Sequence, residues 1–367
     1  MKTKSLTLLA VGDIALEEPK GEFFLSQVAP VLKSGDIVVG QGEVVFTSRG
    51  VSTFVGMVHT AKGCPPSNIA ALASAGFNVI TLASNHSWDL GAPGIEDTIA
   101  GLRNCGIAPV GAGMNLDEAR RAAIIERDGT RFGFLNYNCV GLIGSWATPV
   151  KPGCAYVEII THYQMTTACP GGAPDIYTFA EPRTLKAMGE DIRKLRPDCD
   201  ILTVAFHKGG DAGSSNQLSM YDQQVSYAAI DAGADLVVGH HAHMLKGIEQ
   251  YKEKVIFHGL GDFVPAYSAE DKAQSRAHRY LLAYSSGIAP ADSDPATKWT
   301  MIAKCVVKNG KISQAGYLPC FINEHRQPEV LEKDETGQKV FDFVEKMTKE
   351  SGLNTRYKWK GNEVVII

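Results

Sequence analysis

The stretch Gly239-His240-His241-Ala242-His243 holds three of the ten histidines of this sequence and follows the short apolar run 235–238. Such a run predicts a buried β-strand, so the histidines stand where a strand ends. His241 and His243 are two residues apart, and an extended backbone would point both imidazoles to one side. Imidazole is the commonest protein ligand of mid-series divalent metals, so this spacing favours a metal site. The alternative is a polar loop with solvated histidines.

Outward from this stretch, apolar runs alternate with helical segments as far as residue 260. Strands are predicted at 6–11, 36–40, 78–83, 130–137, 201–206, 235–238 and 255–257, and helices at 67–75, 95–105, 183–195 and 223–232. This alternation predicts an α/β fold with a largely parallel sheet. Beyond residue 264, the pattern predicts an antiparallel hairpin around Asn309-Gly310, a helix at 338–349 and a strand at 363–367.

Polar residues able to bind metals recur at the predicted strand ends. In α/β sheets ligands bind at the carboxyl ends of the strands, so one edge would bring these residues together. They are Asp13, Glu43, Asn85, His86, His207, His241 and His243. Each has an ordinary explanation alone, as a helix cap, a turn residue or a surface histidine, but their joint recurrence favours a metal site. Carboxylate, amide and imidazole ligands suit Mn, Fe or Zn, and the absence of nearby cysteines argues against structural zinc.

The composition argues against several classes of partner. The formal net charge is -4 and no lysine or arginine run stands out, so nucleic acid is not an expected partner. No apolar stretch is long enough for a membrane span, and the apolar run after Met1 is too short for a signal peptide. The eight cysteines contain no CxxC pair and predict reduced thiols in a cytoplasmic protein. A homodimer is one possible oligomeric state.

Two other segments carry open interpretations. Residues 141–182 are rich in proline, glycine and tyrosine, and predict either a cover near the mouth of the site or a surface excursion without a role. Gly111-Ala-Gly113 resembles half of a dinucleotide-binding motif and leaves a nucleotide-binding oxidoreductase as a remote alternative. We expect one domain over 1–265 with the 141–182 insertion, and a segment 266–367 that completes or packs on it.

Six motifs taken in order resemble one family. They are Gly12-Asp13, Gln41-Gly42-Glu43, Ser84-Asn85-His86, His207-Lys208-Gly209-Gly210-Asp211, Gly239-His240-His241-Ala242-His243 and Gly259-Leu260-Gly261-Asp262-Phe263. The set is similar to the poly-gamma-glutamate capsule biosynthesis (CapA-like) family of the calcineurin-like metallophosphoesterase superfamily, over about residues 5 to 265. The resemblance implies a two-sheet, four-layer α/β sandwich that binds one or two divalent ions of Mn, Fe or Zn.

The resemblance also implies roles for individual residues. Asp13 and His243 would hold one ion, Asn85, His207 and His241 would line the second position, and Glu43 would stand as the bridging carboxylate. His86 matches the histidine that stabilises or protonates the leaving group, and we assign it and Asp211 as candidate catalytic residues. The nucleophile would be a metal-activated water.

Several positions depart from the family pattern. Asp13 is followed by Ile14 and Ala15 where the superfamily usually has Asp-x-His, so the first metal position loses an imidazole. Further replacements are Gln41 for Asn, Ser84 for Asn, Lys208 for an aromatic residue, Asp211 for Glu and Asp262 for Asn. We assign Lys208 and Asp262 as candidate substrate-binding residues, with a solvated surface lysine as the alternative for Lys208.

The expected function is a soluble metal-dependent hydrolase acting on a small anionic molecule. The bond is a phosphoester, or an amide, imide or lactone, because an activated water with a neighbouring histidine serves either reaction. The alternative is a non-catalytic accessory or binding component of poly-gamma-glutamate or cell-envelope biosynthesis.

Overall fold

The computed structural model describes residues 5–53, 62–165, 174–210, 217–266 and 295–367. The helices are α1 (Gly21–Leu25), α2 (Ala29–Leu32), α3 (Asn68–Ala75), α4 (Gly91–Asn104), α5 (Leu116–Ala119), α6 (Pro182–Leu195), α7 (Met220–Ala232) and α8 (Glu335–Glu350). The strands are β1 (Leu6–Ile14), β2 (Ile37–Gly42), β3 (Val79–Thr81), β4 (Ala108–Val110), β5 (Ala112–Gly113), β6 (Ala123–Arg127), β7 (Thr130–Asn138), β8 (Gly153–Cys154), β9 (Ile159–Gln164), β10 (Asp175–Ala180), β11 (Ile201–Lys208), β12 (Leu236–His241), β13 (Ile248–Tyr251), β14 (Lys254–Phe257), β15 (Asp262–Val264), β16 (Trp299–Lys308), β17 (Lys311–Ile322), β18 (Pro328–Val330), β19 (Tyr357–Lys360) and β20 (Glu363–Ile366).

The strands of the described residues form two large sheets and two small ones. The first sheet has ten strands in the order β19-β20-β17-β16-β1-β2-β3-β4, with β15 beside β1 and β18 beside β17. The second has six strands in the order β13-β14-β12-β11-β7-β6. Strands β1 to β4 are parallel neighbours, and so are β7, β11, β12 and β14. Parallel pairing requires crossover connections, which explains the alternation of strand and helix in the sequence.

Strand β1 lies in the middle of the ten-stranded sheet and has apolar side chains on both faces. Leu8 and Ala10 point to the six-stranded sheet and join the core between the two sheets. Leu9 and Val11 point the opposite way and pack among the helices on the outer face. Because neighbouring residues of a strand face opposite sides, a strand covered on both faces is an unbroken apolar run, as the sequence shows here.

Helices cover the outer face of each large sheet. Side chains of α1 to α4 form an apolar cluster with the ten-stranded sheet, and side chains of α6 and α7 form another with the six-stranded sheet. The layers are therefore helix, sheet, sheet and helix. The predicted two-sheet, four-layer α/β sandwich is confirmed.

The chain after residue 295 contributes strands to the ten-stranded sheet. β16 pairs antiparallel with β1 from Leu6 to Ala10, and β17 pairs with β16. Asn309 and Gly310 connect them with φ of 52° and 68°, the left-handed values that a tight hairpin turn requires. Helix α8 packs Val340, Val344 and Met347 into the core between the sheets.

The first part of the 141–182 segment lies against the loop that follows β3. A Cβ atom on Gly141 would lie 2.4 Å from the Cβ of Asn85, so the backbone at Gly141 touches Asn85 directly. The rings of Trp146 and Tyr156 stack 4.2 Å apart, and the Lys151 ammonium lies 3.8 Å from the centre of the Trp88 ring. This part of the segment therefore borders the strand end that carries Asn85.

Two chemical features of the described residues bear on the sequence expectations. Their cysteines are free thiols, six of the seven buried. Within the same ranges, no helix combines the length and the apolar character needed to cross a membrane.

Candidate metal centre

The predicted metal ligands lie at the carboxyl ends of strands from both large sheets. Asp13 is the penultimate residue of β1 and Glu43 directly follows β2. Asn85 lies in the loop after β3. His207 is the penultimate residue of β11, and His241 ends β12. The candidate site is therefore built where the carboxyl ends of the two sheets meet.

Asp13 connects the two sheets and is buried. Its Oδ2 atom accepts a hydrogen bond from the backbone N–H of His241 over 2.9 Å. Its Oδ1 atom lies 3.8 Å from Nδ1 of His207, and neither of these two atoms has a hydrogen-bond partner among the described residues. Two buried polar atoms that face each other without a bond leave a position suited to a shared cation.

His207 and Asn85 meet from opposite sheets. The Nε2 atom of His207 lies 2.7 Å from Oδ1 of Asn85, and the imidazole of His207 is completely buried. Its ring centre lies 4.8 Å from that of His241. Burial lowers the pKa of His207 well below its ordinary value, and the neighbouring His241 adds to the effect. The ring is therefore neutral, which is the form that binds a metal.

The backbone of the histidine stretch is not extended, so the sequence expectation is wrong on this point. His241 has φ of 83° and His243 has φ of 51°, both in the left-handed region that side chains rarely occupy. The two ring centres nevertheless lie 5.8 Å apart. Strain of this kind concentrates at functional sites, and here it turns both rings toward the meeting point of the sheets.

His243 lies between two acidic side chains. Its Nδ1 atom is 2.7 Å from Oδ1 of Asp262, and its Nε2 atom is 3.2 Å from Oε1 of Glu43. Ligand atoms of Asp13, His243 and Asp262 all lie within 4.8 Å of one another. Asp262, which the sequence suggested for substrate binding, thus belongs to the same cluster as the predicted metal ligands.

Burial and the charges within the cluster shift the pKa values of its residues. Burial and the nearby Glu43 raise the pKa of Asp13 well above its usual value. Burial by itself would lower the pKa of His243, but the charges of Glu43 and Asp262 raise it well above the ordinary range. Buried carboxylates this close together need positive charge to remain ionised. The donor set and its negative charge fit a divalent cation.

His86 lies at the edge of the cluster and is held by a carboxylate. Its Nδ1 atom is 2.7 Å from Oδ2 of the buried Asp89, three residues further along. Burial lowers the pKa of His86, but the Asp89 hydrogen bond and the charge of Glu43 together raise it above its ordinary value. Asp89 lies three residues beyond His86, and nothing in the sequence spacing identified its role.

Glu17 is a second residue that sequence reasoning missed. It is half-buried and close enough to Glu43 and His86 to interact with their charges. Burial raises its pKa to about 7. It lies four residues beyond Asp13, in a polar segment that no motif covers.

Lys208 is not placed to contact substrate. It follows His207 on β11 and therefore points to the opposite face of the sheet. Its completely buried ammonium donates to the backbone carbonyl of Asp222 over 3.0 Å and lies 2.9 Å from Nδ1 of His258. The proposed substrate contact and the surface alternative are both corrected by this geometry. Asp211, the other candidate from this motif, lies outside the described residues.

His258 extends the buried network that begins at Lys208. Its Nδ1 accepts from the ammonium, so the neutral ring carries its proton on Nε2 and donates to Oε2 of Glu249 over 2.8 Å. Burial and the charge of Lys208 lower the pKa of His258 to about 4. An unfolded chain protonates this ring near pH 6.5, whereas the folded protein does not. The free energy of unfolding should therefore be at its full value above pH 6.5 and should fall as the pH drops toward 4.

Replacing His258 with glutamine tests this linkage, because glutamine retains one donor and one acceptor. We expect the free energy of unfolding of wild type to fall between pH 7 and pH 5 by about 2 kcal/mol more than that of His258→Gln. Urea unfolding at both pH values measures the difference. His325→Gln, at an exposed position, is the control and should follow wild type. Equal pH dependence in His258→Gln and wild type would contradict the buried neutral state.

Comparisons with known proteins agree with the motifs. Residues 7–267 match the family described as "Bacterial capsule synthesis protein PGA_cap". The chain is 27% identical to "Capsule biosynthesis protein CapA" of Bacillus anthracis over 274 residues, which cover 72% of this chain and 60% of that protein. It is 28% identical to "Probable polyglutamine synthesis accessory protein" of Mycobacterium tuberculosis over 232 residues, covering 62% of this chain and 56% of that protein.

Solved structures include a Staphylococcus aureus protein whose name contains 5'-nucleotidase, 12% identical, with a TM-score of 0.48 over 94% of this chain and 58% of that one. The chain spans less than two thirds of the length of the two curated relatives. The family match covers well over half of this chain, including all the residues of the cluster. The chain therefore belongs to the bacterial capsule synthesis protein PGA_cap family.

Proposed function

We propose that this chain is a metal-dependent hydrolase acting on a small anionic molecule. The observation that carries the proposal is the buried cluster around Asp13 and His243, where carboxylates and imidazoles from two sheets converge. A divalent ion held there would lower the pKa of a bound water toward neutrality and so supply the nucleophile. The metal is Mn, Fe or Zn, as the mixed oxygen and nitrogen donors suggest.

The side chains divide between two proposed ion positions. Asp13 and His243 serve the first, and Asn85, His207 and His241 serve the second. Glu43 stands between them, because it lies next to His243 and its charge interacts with His241. The contact between His207 and Asn85 lies within the second position and supports this division, and the approach of His207 to Asp13 shows that the two positions adjoin.

His86 is the proposed proton donor to the leaving group. Its Nδ1 atom is engaged by Asp89, which fixes the ring and leaves Nε2 as the nitrogen that faces a substrate. About a third of its side chain is exposed, so a bound molecule can reach it. This arrangement of a carboxylate and an imidazole is common among acid–base catalysts.

The choice of bond is part of the proposal and draws on the relatives' names as well as on the cluster. Water activation with a proton donor serves phosphoesters as well as amides, imides and lactones. We place carboxylate-bearing amides first, because the motifs resemble a poly-gamma-glutamate family, one relative carries polyglutamine synthesis in its name, and the first ion position lacks the usual imidazole. A non-catalytic accessory role is the second candidate, favoured by the word "accessory" in that same name.

Metal content and turnover together decide between the two functions. Protein purified without a metal-affinity tag should contain about one or two equivalents of Mn, Fe or Zn, measured by elemental analysis. His241→Ala with His243→Ala should remove most of it while circular dichroism shows a folded chain. Wild type is then screened against amides, lactones and phosphoesters. No metal after anaerobic reconstitution with each ion would refute the hydrolase, and metal without any turnover would favour the accessory role.

A further inference from the structure

We infer that Asp262 is itself a ligand of the ion held by Asp13 and His243, in place of the imidazole that the first strand lacks. As a consequence, this position favours an oxygen-preferring ion such as Mn²⁺ more than the second position does. The inference rests on the proposed function, because it requires a metal at the cluster. It goes beyond that function by assigning the ligand and the class of ion.

The topology places Asp262 beside Asp13. β15 is parallel to β1, and Asp13 and Asp262 are direct partners in the register. Partner residues on neighbouring strands share a face of the sheet, so both carboxylates point to the same side. The approach is close because Gly12 and Gly261 have no side chains: a Cβ on Gly12 would lie 1.8 Å from the carbonyl oxygen of Gly261. Both carboxylates are buried.

The first strand has no imidazole to offer. The position two residues after Asp13 is Ala15, which is 1% exposed and packs in the apolar cluster beneath the helices. Asp262 supplies an oxygen on the same side as Asp13 instead. Ligand atoms of Asp13, His243 and Asp262 fall within 4.8 Å of one another, a spacing that a small movement closes around one ion.

Asp262 can bind an ion and still hold His243. Its Oδ1 atom is the one 2.7 Å from Nδ1 of His243. A carboxylate offers about four lone-pair sites on its two oxygens, so it can bind an ion while Oδ1 continues to orient the ring.

The two positions then differ in chemistry. The first has the carboxylates of Asp13 and Asp262 with the imidazole of His243, and Glu43 is shared by both positions. The second has the imidazoles of His207 and His241 with the amide of Asn85. Carboxylates suit Mn²⁺ and Mg²⁺, whereas imidazoles suit Zn²⁺ and Fe²⁺. The difference between the affinities for Zn²⁺ and Mn²⁺ should therefore be smaller at the first position than at the second.

Metal titration of the isosteric variant Asp262→Asn tests the inference. Metal-free protein is titrated separately with Mn²⁺ and Zn²⁺ by calorimetry, and bound Mn²⁺ is counted by electron paramagnetic resonance. We expect Asp262→Asn to weaken Mn²⁺ binding at one position about a hundredfold, Zn²⁺ binding there about tenfold, and the other position little. Asp262→Ala should repeat the pattern, and circular dichroism checks that both variants fold.

Asp89→Asn is the matched control. Asp89 also lies 2.7 Å from a histidine Nδ1 and is buried, but it serves His86, which is not a proposed ligand. Its variant should retain both Mn²⁺ affinities within about threefold. Unchanged Mn²⁺ binding in Asp262→Asn would overturn the inference, and so would equal losses for both ions, which would mean that Asp262 only orients His243. If wild type binds neither ion, the proposed function itself fails.

Discussion

Replacing Glu43 with glutamine is expected to remove most of the bound metal and to lower turnover by at least about a thousandfold, because metal activation of water supplies several kcal/mol of the catalytic effect. Glu43 stands between the two proposed ion positions and lies 3.2 Å from His243. Despite its burial, the charges of His243 and other histidines hold the pKa of Glu43 at about 2, so the wild-type side chain is ionised at neutral pH. Glutamine keeps the shape and removes the charge.

The measurement combines elemental analysis with turnover on the best substrate from the screen. Glu17→Gln is the matched control, because Glu17 is a neighbouring carboxylate that we do not assign to the metal. It should retain the metal content of wild type. A Glu43→Gln protein that still binds about two ions would contradict the bridging role.

Replacing His86 with alanine is expected to reduce kcat by about 10²–10⁴-fold while the metal content stays at the wild-type level. The loss should depend on the leaving group. A poor leaving group needs the proton from His86, whereas a nitrophenolate departs without it, so activated esters should lose least. Asp89→Asn should show a smaller loss, because it loosens the ring without removing it.

Kinetics on a series of substrates with graded leaving groups checks this expectation. His162→Ala serves as the control, since His162 is exposed on β9. An equal loss for every leaving group would contradict proton donation by His86. Loss of metal from His86→Ala would instead show that the residue supports the ion positions.

The sequence predicted the fold and most of the cluster for one physical reason. Apolar runs that end in polar residues mark the carboxyl ends of parallel strands, and those ends share an edge. Asp13, Glu43 and His207 were identified in this way, and the structure brings them together with His241 and His243. Their roles toward a metal remain predictions.

The parts that sequence reasoning missed depend on contacts between distant segments. The sequence identified Asp262 as an added acid. Its pairing with Asp13, however, joins two residues that lie 249 positions apart in the chain, and no local sequence pattern predicts such a pairing. Lys208 is different, because alternation along β11 would have placed it on the face opposite His207. The left-handed φ values of His241 and His243 are imposed by tertiary packing, which overrides the local preference for extended backbone.

The pairing of β1 with β16 sets when the central strand can complete its hydrogen bonds. Residues 6–10 pair with residues 303–307, so the edge of the central strand stays open until nearly the whole chain has left the ribosome. At ordinary rates of synthesis this interval is about 15–60 s. During it, an apolar strand exposes unpaired N–H and C=O groups that can pair with another chain. A fragment that ends near residue 267 lacks β16 and leaves that edge unpaired, so we expect recombinant protein that carries the six motifs alone to aggregate.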